Sequence, residues 1–189
     1  MINGSLSNYT NEFLSRFTNY QLSVLSSLEY VTDRTKDDVS RWEYLRNKGW
    51  SKMTDSERKE WMGTLVTEPT AIKGMYTYND LNRVESAIEN IVNTFRENGY
   101  VVPDMVIKKD WTYKDTFWKA EMIRYYTNIE TLRGLIHTYP DTPDAPRIGE
   151  KMSYQLANDI EKILIDLDYI LGSLKRGWYY VGDIVAGEV

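Results

Sequence analysis

Carboxylates are the side chains through which this chain could carry out acid and base catalysis. Glycoside hydrolysis needs only two opposed carboxyl groups, and neither histidine nor cysteine is required. Seven candidates are spread along the chain: Glu57, Glu60, Glu85, Asp110, Asp115, Asp159 and Asp166. No spacing singles out a pair, and such carboxylates commonly lie on solvated helix faces and at helix N-termini. A carboxylate-only glycoside hydrolase is therefore the least favoured of the functions considered below.

Histidine and cysteine chemistry has little material in this sequence. His137 is the single histidine, so one chain cannot build a multi-histidine metal site. No Gly-x-Ser-x-Gly accompanies it, and we expect it to be a favourable partner for the dipole at a helix C-terminus. Cysteine is absent, which excludes disulfides, thiolate nucleophiles and zinc fingers. There is no Gly-rich phosphate loop either, so the sequence predicts no cofactor and no metal.

Length and charge narrow the class of protein further. The 189 residues suffice for one domain or two small ones, and 42% are apolar. The formal net charge of −5 argues against broad nucleic-acid binding. The first residues show no basic region followed by an apolar run, and the apolar stretch 160–174 carries four charges. We therefore expect no signal peptide and no membrane-spanning helix, and a protein of the cytosol or of a particle assembled there.

Aromatic residues are unusually abundant. The chain has 15 Tyr and 6 Trp but only 4 Phe. Tyr and Trp join a large apolar body to a polar group, which suits them to interfaces. The alternative is that they fill the core and edges of a small domain.

Apolar periodicity of the helical kind runs through most of the chain. It predicts helices at about 8–30, 37–49, 55–63, 80–98, 115–138 and 154–175. The expected helix caps are Thr35 or Asp37, Thr54 with Glu57, Asn79, and Ser153. Three prolines between residues 139 and 150 exclude a helix there and indicate a rigid connector or a wrapped arm.

The predicted fold is mostly α: a helical bundle with an N-terminal helix and a short extended C-terminal tail. We divide the chain into an attachment segment (1–34), a helical domain (35–177) and the tail (178–189). Trp178, Tyr179 and Tyr180 begin the tail and are good strand formers. The tail either pairs with a strand, for example from a neighbouring chain, or packs on its own domain.

A weak internal repeat links two helix starts. Tyr78 is followed by Asn82 and Glu85, and Tyr154 is followed by Asn158 and Glu161 at the same spacing. Upstream we match Trp50 with Trp111, which gives two helical units, 35–100 and 101–177. Asparagine is poor inside helices, so its recurrence indicates a role. We expect these side chains to brace a neighbouring loop or helix; ligand binding by the four Asn and Glu residues is the alternative.

Several segments together resemble small virion proteins from phages and prophages of Gram-positive bacteria. Residues 73–85 (KGMYTYNDLNRVE) resemble the segment K-G-x-Y-N-x-x-D-L-N-R-V-E of that family. The similarity continues through Trp111 with Asp115, through 124–129 (RYYTNI), the proline arm, 153–164, and the glycines near the C-terminus, and it covers roughly 50–189.

The resemblance implies a non-enzymatic part of a phage or phage-tail-like particle, associated with the tail, baseplate or fibre. Its partners would be other virion proteins and further copies of itself, with neither nucleic acid nor membrane among them. The alternative is a module on the particle that binds carbohydrate or another cell-surface molecule. Aromatic platforms for a sugar would come from Trp50, Trp61, Trp111 and Trp118.

Overall fold

The structure, a computed structural model, describes residues 30–66 and 73–182, with side chains for 30–61 and 73–174. This part of the chain contains five α-helices, one short 3₁₀ helix and no strand, which confirms a mostly helical fold. The helices are α1 (Lys36–Lys48), α2 (Asp55–Val66), α3 (Tyr78–Glu97), α4 (Lys119–Gly134) and α5 (Tyr154–Gly182), with the 3₁₀ helix at Trp50–Lys52. The predicted N-terminal helix lies outside the described residues, apart from its last position.

The first two helices begin where capping chemistry predicts. Thr35 caps α1: its hydroxyl accepts from the Asp38 N–H at 3.2 Å, and the Asp38 carboxylate accepts from the Thr35 N–H at 2.7 Å. Gly49 ends α1 with a φ of 74°. The Thr54 and Glu57 capping box also forms, with hydrogen bonds of 3.2 and 2.7 Å. Helix α2 continues to Val66, past its predicted end at residue 63.

The start of α3 differs from the prediction. Thr77, not Asn79, is the N-cap residue, and its partner is Asp80. Thr77 stands three residues before an acidic side chain, which is the spacing of a capping box, whereas Asn79 already lies in the first helical turn. The C-terminal end agrees with the prediction, because α3 stops at Glu97 and Gly99 follows with a φ of 81°.

Helix α4 is shorter than predicted at both ends. The Asp115 carboxylate accepts from the backbone N–H of Thr112 at 2.7 Å and from its hydroxyl at 2.8 Å, so it closes a turn before the helix begins. At the other end the Leu135 N–H donates to the Leu132 carbonyl at 3.2 Å, which tightens the last turn after Gly134.

The predicted end of the last helix is wrong. The Ser153 hydroxyl caps α5 as expected, accepting from the Leu156 N–H at 3.1 Å, but the helix continues through residue 177 to Gly182. Residues 178–182 are therefore helical rather than extended, and 183–189 lie outside the described residues. A single glycine inside a helix costs only about 1 kcal/mol relative to alanine, which does not stop a long apolar helix.

Two groups of buried side chains organise the described residues. The main core lies between α3, α4 and α5, and its fully buried members include Val84, Ile88, Phe95, Tyr125, Tyr126, Ile129, Leu132, Ile160, Ile163, Leu164 and Leu167. A smaller cluster joins Leu45 of α1 to Met53, with Trp42 and Trp61 packed against them. We call α1, the 3₁₀ helix and α2 the lobe, because α1, α2 and Met53, directly after the 3₁₀ helix, contribute to this second cluster. Within the described ranges, none of the helices is long and apolar enough to span a membrane.

Candidate functional site

The repeated Asn and Glu pairs occupy the beginnings of α3 and α5. In each pair the two side chains are three residues apart, so they project from the same face of their helix. Each pair binds a segment of the chain that has no regular secondary structure. We call Asn82 with Glu85 clasp 1, which binds arm 2 (108–111), and Asn158 with Glu161 clasp 2, which binds arm 1 (31–34).

Clasp 1 binds the backbone of arm 2 at two points. The Asn82 amide donates from Nδ2 to the Trp111 carbonyl at 2.9 Å and accepts from the Trp111 N–H through Oδ1 at 2.9 Å. One turn later, Glu85 Oε2 accepts from the Lys108 N–H at 3.3 Å. The contacts satisfy main-chain groups of a segment that has no secondary structure of its own.

Clasp 2 repeats this pattern on arm 1. Asn158 donates from Nδ2 to the Arg34 carbonyl at 2.9 Å and accepts from the Arg34 N–H at 3.1 Å. Glu161 Oε2 accepts from the Val31 N–H at 2.5 Å. In both clasps the contacts fall on arm residues three positions apart, so the asparagine and glutamate have the same role in α3 and in α5.

The residues that follow each arm also correspond. Thr35 with Asp38 and Thr112 with Asp115 form the same threonine–aspartate turn directly after arm 1 and arm 2. The structural counterpart of Trp111 is therefore Arg34. The match of Trp50 with Trp111 drawn from the sequence is wrong, because Trp50 belongs to the 3₁₀ helix of the lobe.

Arginines neutralise both clasp glutamates, whose side chains are fully buried. Glu85 receives two hydrogen bonds from the Arg124 guanidinium on α4, at 2.5 and 3.1 Å. Glu161 receives one from Arg34 at 2.8 Å and one from Arg83 at 2.6 Å. A buried carboxylate is tolerated only with such partners, so these arginines are necessary parts of the clasps.

Asp80 completes the charge network around clasp 2. It accepts from Arg34 at 2.9 Å and from Arg83 at 2.8 Å. Burial by itself raises the pKa of the Asp80 carboxyl, but Arg83, Arg34 and the Thr77 hydrogen bonds outweigh burial and hold that pKa below its ordinary value. Burial opposes the charge of Arg83, yet Glu161 and Asp80 raise its pKa. Asp80, Arg34 and Arg83 are therefore charged together at neutral pH.

Two tyrosines connect this network to the main core, since Tyr125 belongs to the core and Tyr76 packs against it. The Tyr76 and Tyr125 hydroxyls are 2.6 Å apart, and the Arg34 guanidinium lies 5.3 Å from the centre of the Tyr76 ring. Burial raises the pKa of both phenols, so they stay neutral. Sequence reasoning named Glu161 but missed Arg34, Asp80, Arg83 and Tyr76. Tyr76, Asp80 and Arg83 could have been identified as candidates because they lie in the segment 73–85, which carries the family resemblance.

The start of that segment joins arm 1 to the base of α3. Lys73 forms an ion pair with Asp33. Gly74 lies so close to α1 that an added Cβ would be 2.2 Å from the Asp38 carbonyl oxygen. Only glycine fits there without moving the backbone.

The predicted aromatic residues are distributed over different environments. Trp111 is buried at 3% exposure, while Tyr78, the first residue of α3, packs against the main core. Trp61 is half-buried in the lobe, and Trp50 is 51% exposed. Trp178, Tyr179 and Tyr180 have helical backbones in α5, and their side chains lie outside the described ones. Among the described side chains, Trp50 and Trp61 therefore belong to the lobe, whereas Trp111 belongs to arm 2 and Tyr78 to α3.

The proline arm wraps onto α4 and α5. Arg133 of α4 donates to the Pro143 carbonyl at 2.5 Å. The buried Thr142 hydroxyl donates to Asp166 of α5 at 2.7 Å, and Lys162 donates to the same carboxylate at 2.6 Å. His137 is exposed and lies three residues beyond the end of α4.

Five of the seven carboxylates considered for catalysis have structural partners. Glu85 pairs with Arg124, Asp166 with Lys162, and Glu60 with Arg41. Asp115 closes the turn that begins at Thr112. The Lys48 ammonium and the Thr54 N–H lower the pKa of Glu57 to about 2. Among residues 30–66 and 73–182, no group of three or more His, Asp or Glu side chains is arranged to hold a metal ion.

Comparison with known proteins leaves the chain without an identified relative: no family model, no curated protein and no solved structure matches it.

Proposed function

We propose that the protein is a structural, non-enzymatic component of a phage or phage-tail-like particle, associated with the tail, baseplate or fibre. The proposal starts from the resemblance of residues 50–189 to small virion proteins. It includes several copies per particle, contacts with other virion proteins, assembly in the host cytoplasm, and no cofactor, nucleic acid or membrane as partner.

The main support for the proposal comes from the contacts of segment 73–85, the segment that resembles the virion proteins. Gly74 packs on α1, and Asp80 completes the capping box of α3 and joins the charge network. Asn82 and Glu85 bind arm 2. These side chains are turned towards the chain's own backbone and arginines. A motif used in this way specifies a scaffold, and a scaffold works through its shape and its surface.

The surface carries aromatic residues of the kind that are enriched at protein interfaces. Tyr113 is 75% exposed and Trp118 is 68% exposed, and both lie in the connection between arm 2 and α4. Tyr44 and Trp50 are half exposed on the lobe, beside Arg41 and Arg58. Tyr, Trp and Arg supply most of the binding energy in protein interfaces.

The direct experiment is to purify particles by density gradient from cells that produce them and to measure this chain by mass spectrometry. We expect a constant number of copies per particle. Trp118→Ala with Tyr113→Ala should lower incorporation at least about fivefold, because such interface aromatics contribute about 1–4 kcal/mol. Ile148→Ala, at a site with 59% exposure, is the matched control and should incorporate normally. Particles that lack the chain would refute the proposal.

A second candidate function, a cell-surface carbohydrate module, is favoured only by the exposure of Trp50 and Trp118. The burial of Trp111 removes it as a platform for sugar, and Trp61 is half covered by the lobe cluster. Pull-down of the purified protein on isolated cell walls tests this function, and binding abolished by Trp118→Ala would support it. Retention of wall binding by that variant and by Trp50→Ala would contradict it.

The fold, as we interpret it, consists of two related helical units. Unit 1 is 30–98, with arm 1, the lobe and α3. Unit 2 is 106–182, with arm 2, α4, the proline arm and α5. The interpretation rests on the equal clasps and equal threonine–aspartate turns, and it shifts the boundaries expected from the sequence. Unit 1 alone contains a lobe between its arm and its clasp helix.

A further inference from the structure

The two clasps cross between the units. Arm 1 belongs to unit 1 and is bound by clasp 2 of unit 2, and arm 2 belongs to unit 2 and is bound by clasp 1 of unit 1. The arginines cross in the same way, since Arg34 and Arg83 of unit 1 bind Glu161, and Arg124 of unit 2 binds Glu85. Each unit therefore both donates an arm and receives one.

The backbone between the units is short and exposed. Residues 99–105 form a link without regular structure, from Gly99 with its positive φ through Pro103. Val101 is 91% exposed, and Asp104 and Pro103 are exposed as well. Within the link, Val102 is buried in the main core and Met105 packs against it. None of the clasp contacts involves residues 99–105. If the link were straightened, unit 1 of one copy could therefore make all of these contacts with unit 2 of another copy.

We propose that unit 1 of one copy pairs with unit 2 of a second copy, and the reverse, so that the protein forms a swapped dimer through both clasps. The second copy is the fitting occupant because it supplies the same arm, the same arginines and the same helix face as the chain itself. Exchange of identical elements between protomers needs no new complementary surface, and a short link between the elements favours it.

Local concentration decides between the closed monomer and the dimer. Both forms contain the same clasp contacts, so they differ in the link and in the cost of association. A short linker gives the units of one chain an effective concentration on the order of millimolar. An assembly that holds copies side by side reaches a similar concentration. The inference rests on the clasps alone and stands even if the chain is absent from particles.

Native lysines allow a test on the unmodified protein. Lys36 is the second residue after arm 1, and Lys162 follows Glu161 of clasp 2. Copies labelled with ¹⁵N and unlabelled copies are mixed in urea, refolded together at high concentration, separated by size and treated with a lysine cross-linker. In the dimer, about half of the Lys36–Lys162 cross-links should join a heavy peptide to a light one, as random pairing of two copies requires. Lys48 with Lys59, both inside unit 1, is the control and should stay unmixed.

Variants with a shorter or longer link distinguish a swapped dimer from a dimer formed through any other surface. Deleting residues 101–104 should prevent the link from turning back and raise the dimer fraction several-fold. Inserting about ten Gly and Ser residues after 103 should lower it several-fold, because a long link lets the units of one chain pair freely. The proposal is overturned if Lys36–Lys162 cross-links are unmixed in every size fraction, or if the insertion leaves the dimer fraction unchanged. The insertion decides the question even if the deletion variant does not fold.

Discussion

Clasp 1 and clasp 2 make the same backbone contacts but join very different parts of the chain. Clasp 1 binds an arm that follows its own helix, with contacts 23 and 29 residues apart in sequence. Clasp 2 binds an arm whose contacts are 124 and 130 residues away. The charge networks differ accordingly, since Glu85 has one arginine partner and Glu161 has two. Closing a longer loop of chain costs more conformational entropy. Clasp 2, which closes the longer loop, also has the larger network of ion pairs.

The largest expected effect comes from removing the carboxylate charge of clasp 2. Glu161→Gln leaves Arg34 and Arg83 with Asp80 as their only described acidic partner, and it should lower the free energy of unfolding by about 3–5 kcal/mol. Glu85→Gln leaves one arginine, Arg124, which also contacts Glu121, and should cost about 2 kcal/mol. Urea unfolding measures both.

The exposed pair of Glu89 with Lys109 provides the control for these charge changes. Glu89→Gln should cost less than about 0.5 kcal/mol, because exposed ion pairs contribute little. Equal losses for Glu161→Gln and Glu85→Gln would show that the two clasps are energetically alike, and the comparison drawn above would fail.

Gly74 packs against α1, the helix that follows arm 1. Gly74→Ala places a methyl group against the Asp38 carbonyl and should destabilise the protein by roughly 3 kcal/mol, as overpacking does. Gly134→Ala is the matched control at the end of α4, where an added Cβ meets nothing within 4 Å. It should stabilise the protein by up to about 1 kcal/mol. Thermal unfolding of the two variants should therefore shift in opposite directions.

Asp168 marks a position where α5 departs from α3. It stands ten residues after Asn158, and the residue ten after Asn82 is the buried Val92. Burial raises the pKa of Asp168 from 3.8 to about 6. The folded protein therefore holds a proton that the unfolded chain releases between these values, so stability should fall as the pH rises from about 4 to about 6.

Asp168→Asn should remove that part of the pH dependence and stabilise the protein by about 2 kcal/mol at pH 7. Urea unfolding at pH 4 and pH 7 checks the prediction, and Asp110→Asn, at an exposed site of arm 2, is the control. A variant with an unchanged slope of stability against pH would contradict it.

The smallest expected effects compare the clasp asparagines. Asn82→Ala and Asn158→Ala each remove two hydrogen bonds to the backbone of an arm and should each cost about 1–2 kcal/mol. Hydrogen exchange should show the difference between them. The Trp111 amide should exchange faster only in Asn82→Ala, and the Arg34 amide only in Asn158→Ala. Loss of protection at both arms in either variant would mean that the clasps act as one unit.

Local chemistry made much of the fold predictable. The spacing of Thr54 to Glu57, the serine before α5 and the apolar stripes of α3 and α5 all act within a few residues, so they can be read from the sequence. Recurrence at equal spacing likewise singled out Asn82 and Asn158 as bracing residues, and their hydrogen bonds to the two arms confirm that role. Glu85 and Glu161 recur with them, and the structure shows that they bind the same arms.

Other features depend on residues that are distant in sequence. Arm 1 has no periodicity, and its place is set by groups more than 120 residues away, so Trp50 was matched to Trp111 instead of Arg34. The end of α5 was misjudged at residue 177 because a glycine signal is weak against the length of the helix that precedes it. The division into domains and the particle role stay predictions.

Because clasp 1 binds main-chain atoms of arm 2, the side chains between its two contact points are free to vary in sequence. In arm 2 the residues between Lys108 and Trp111 are Lys109 and Asp110, and both are exposed. Related scaffolds can therefore display different charges along the same strap while its path over the helix is preserved. The exposed side chains of arm 2 can thus vary while the position of its backbone stays the same.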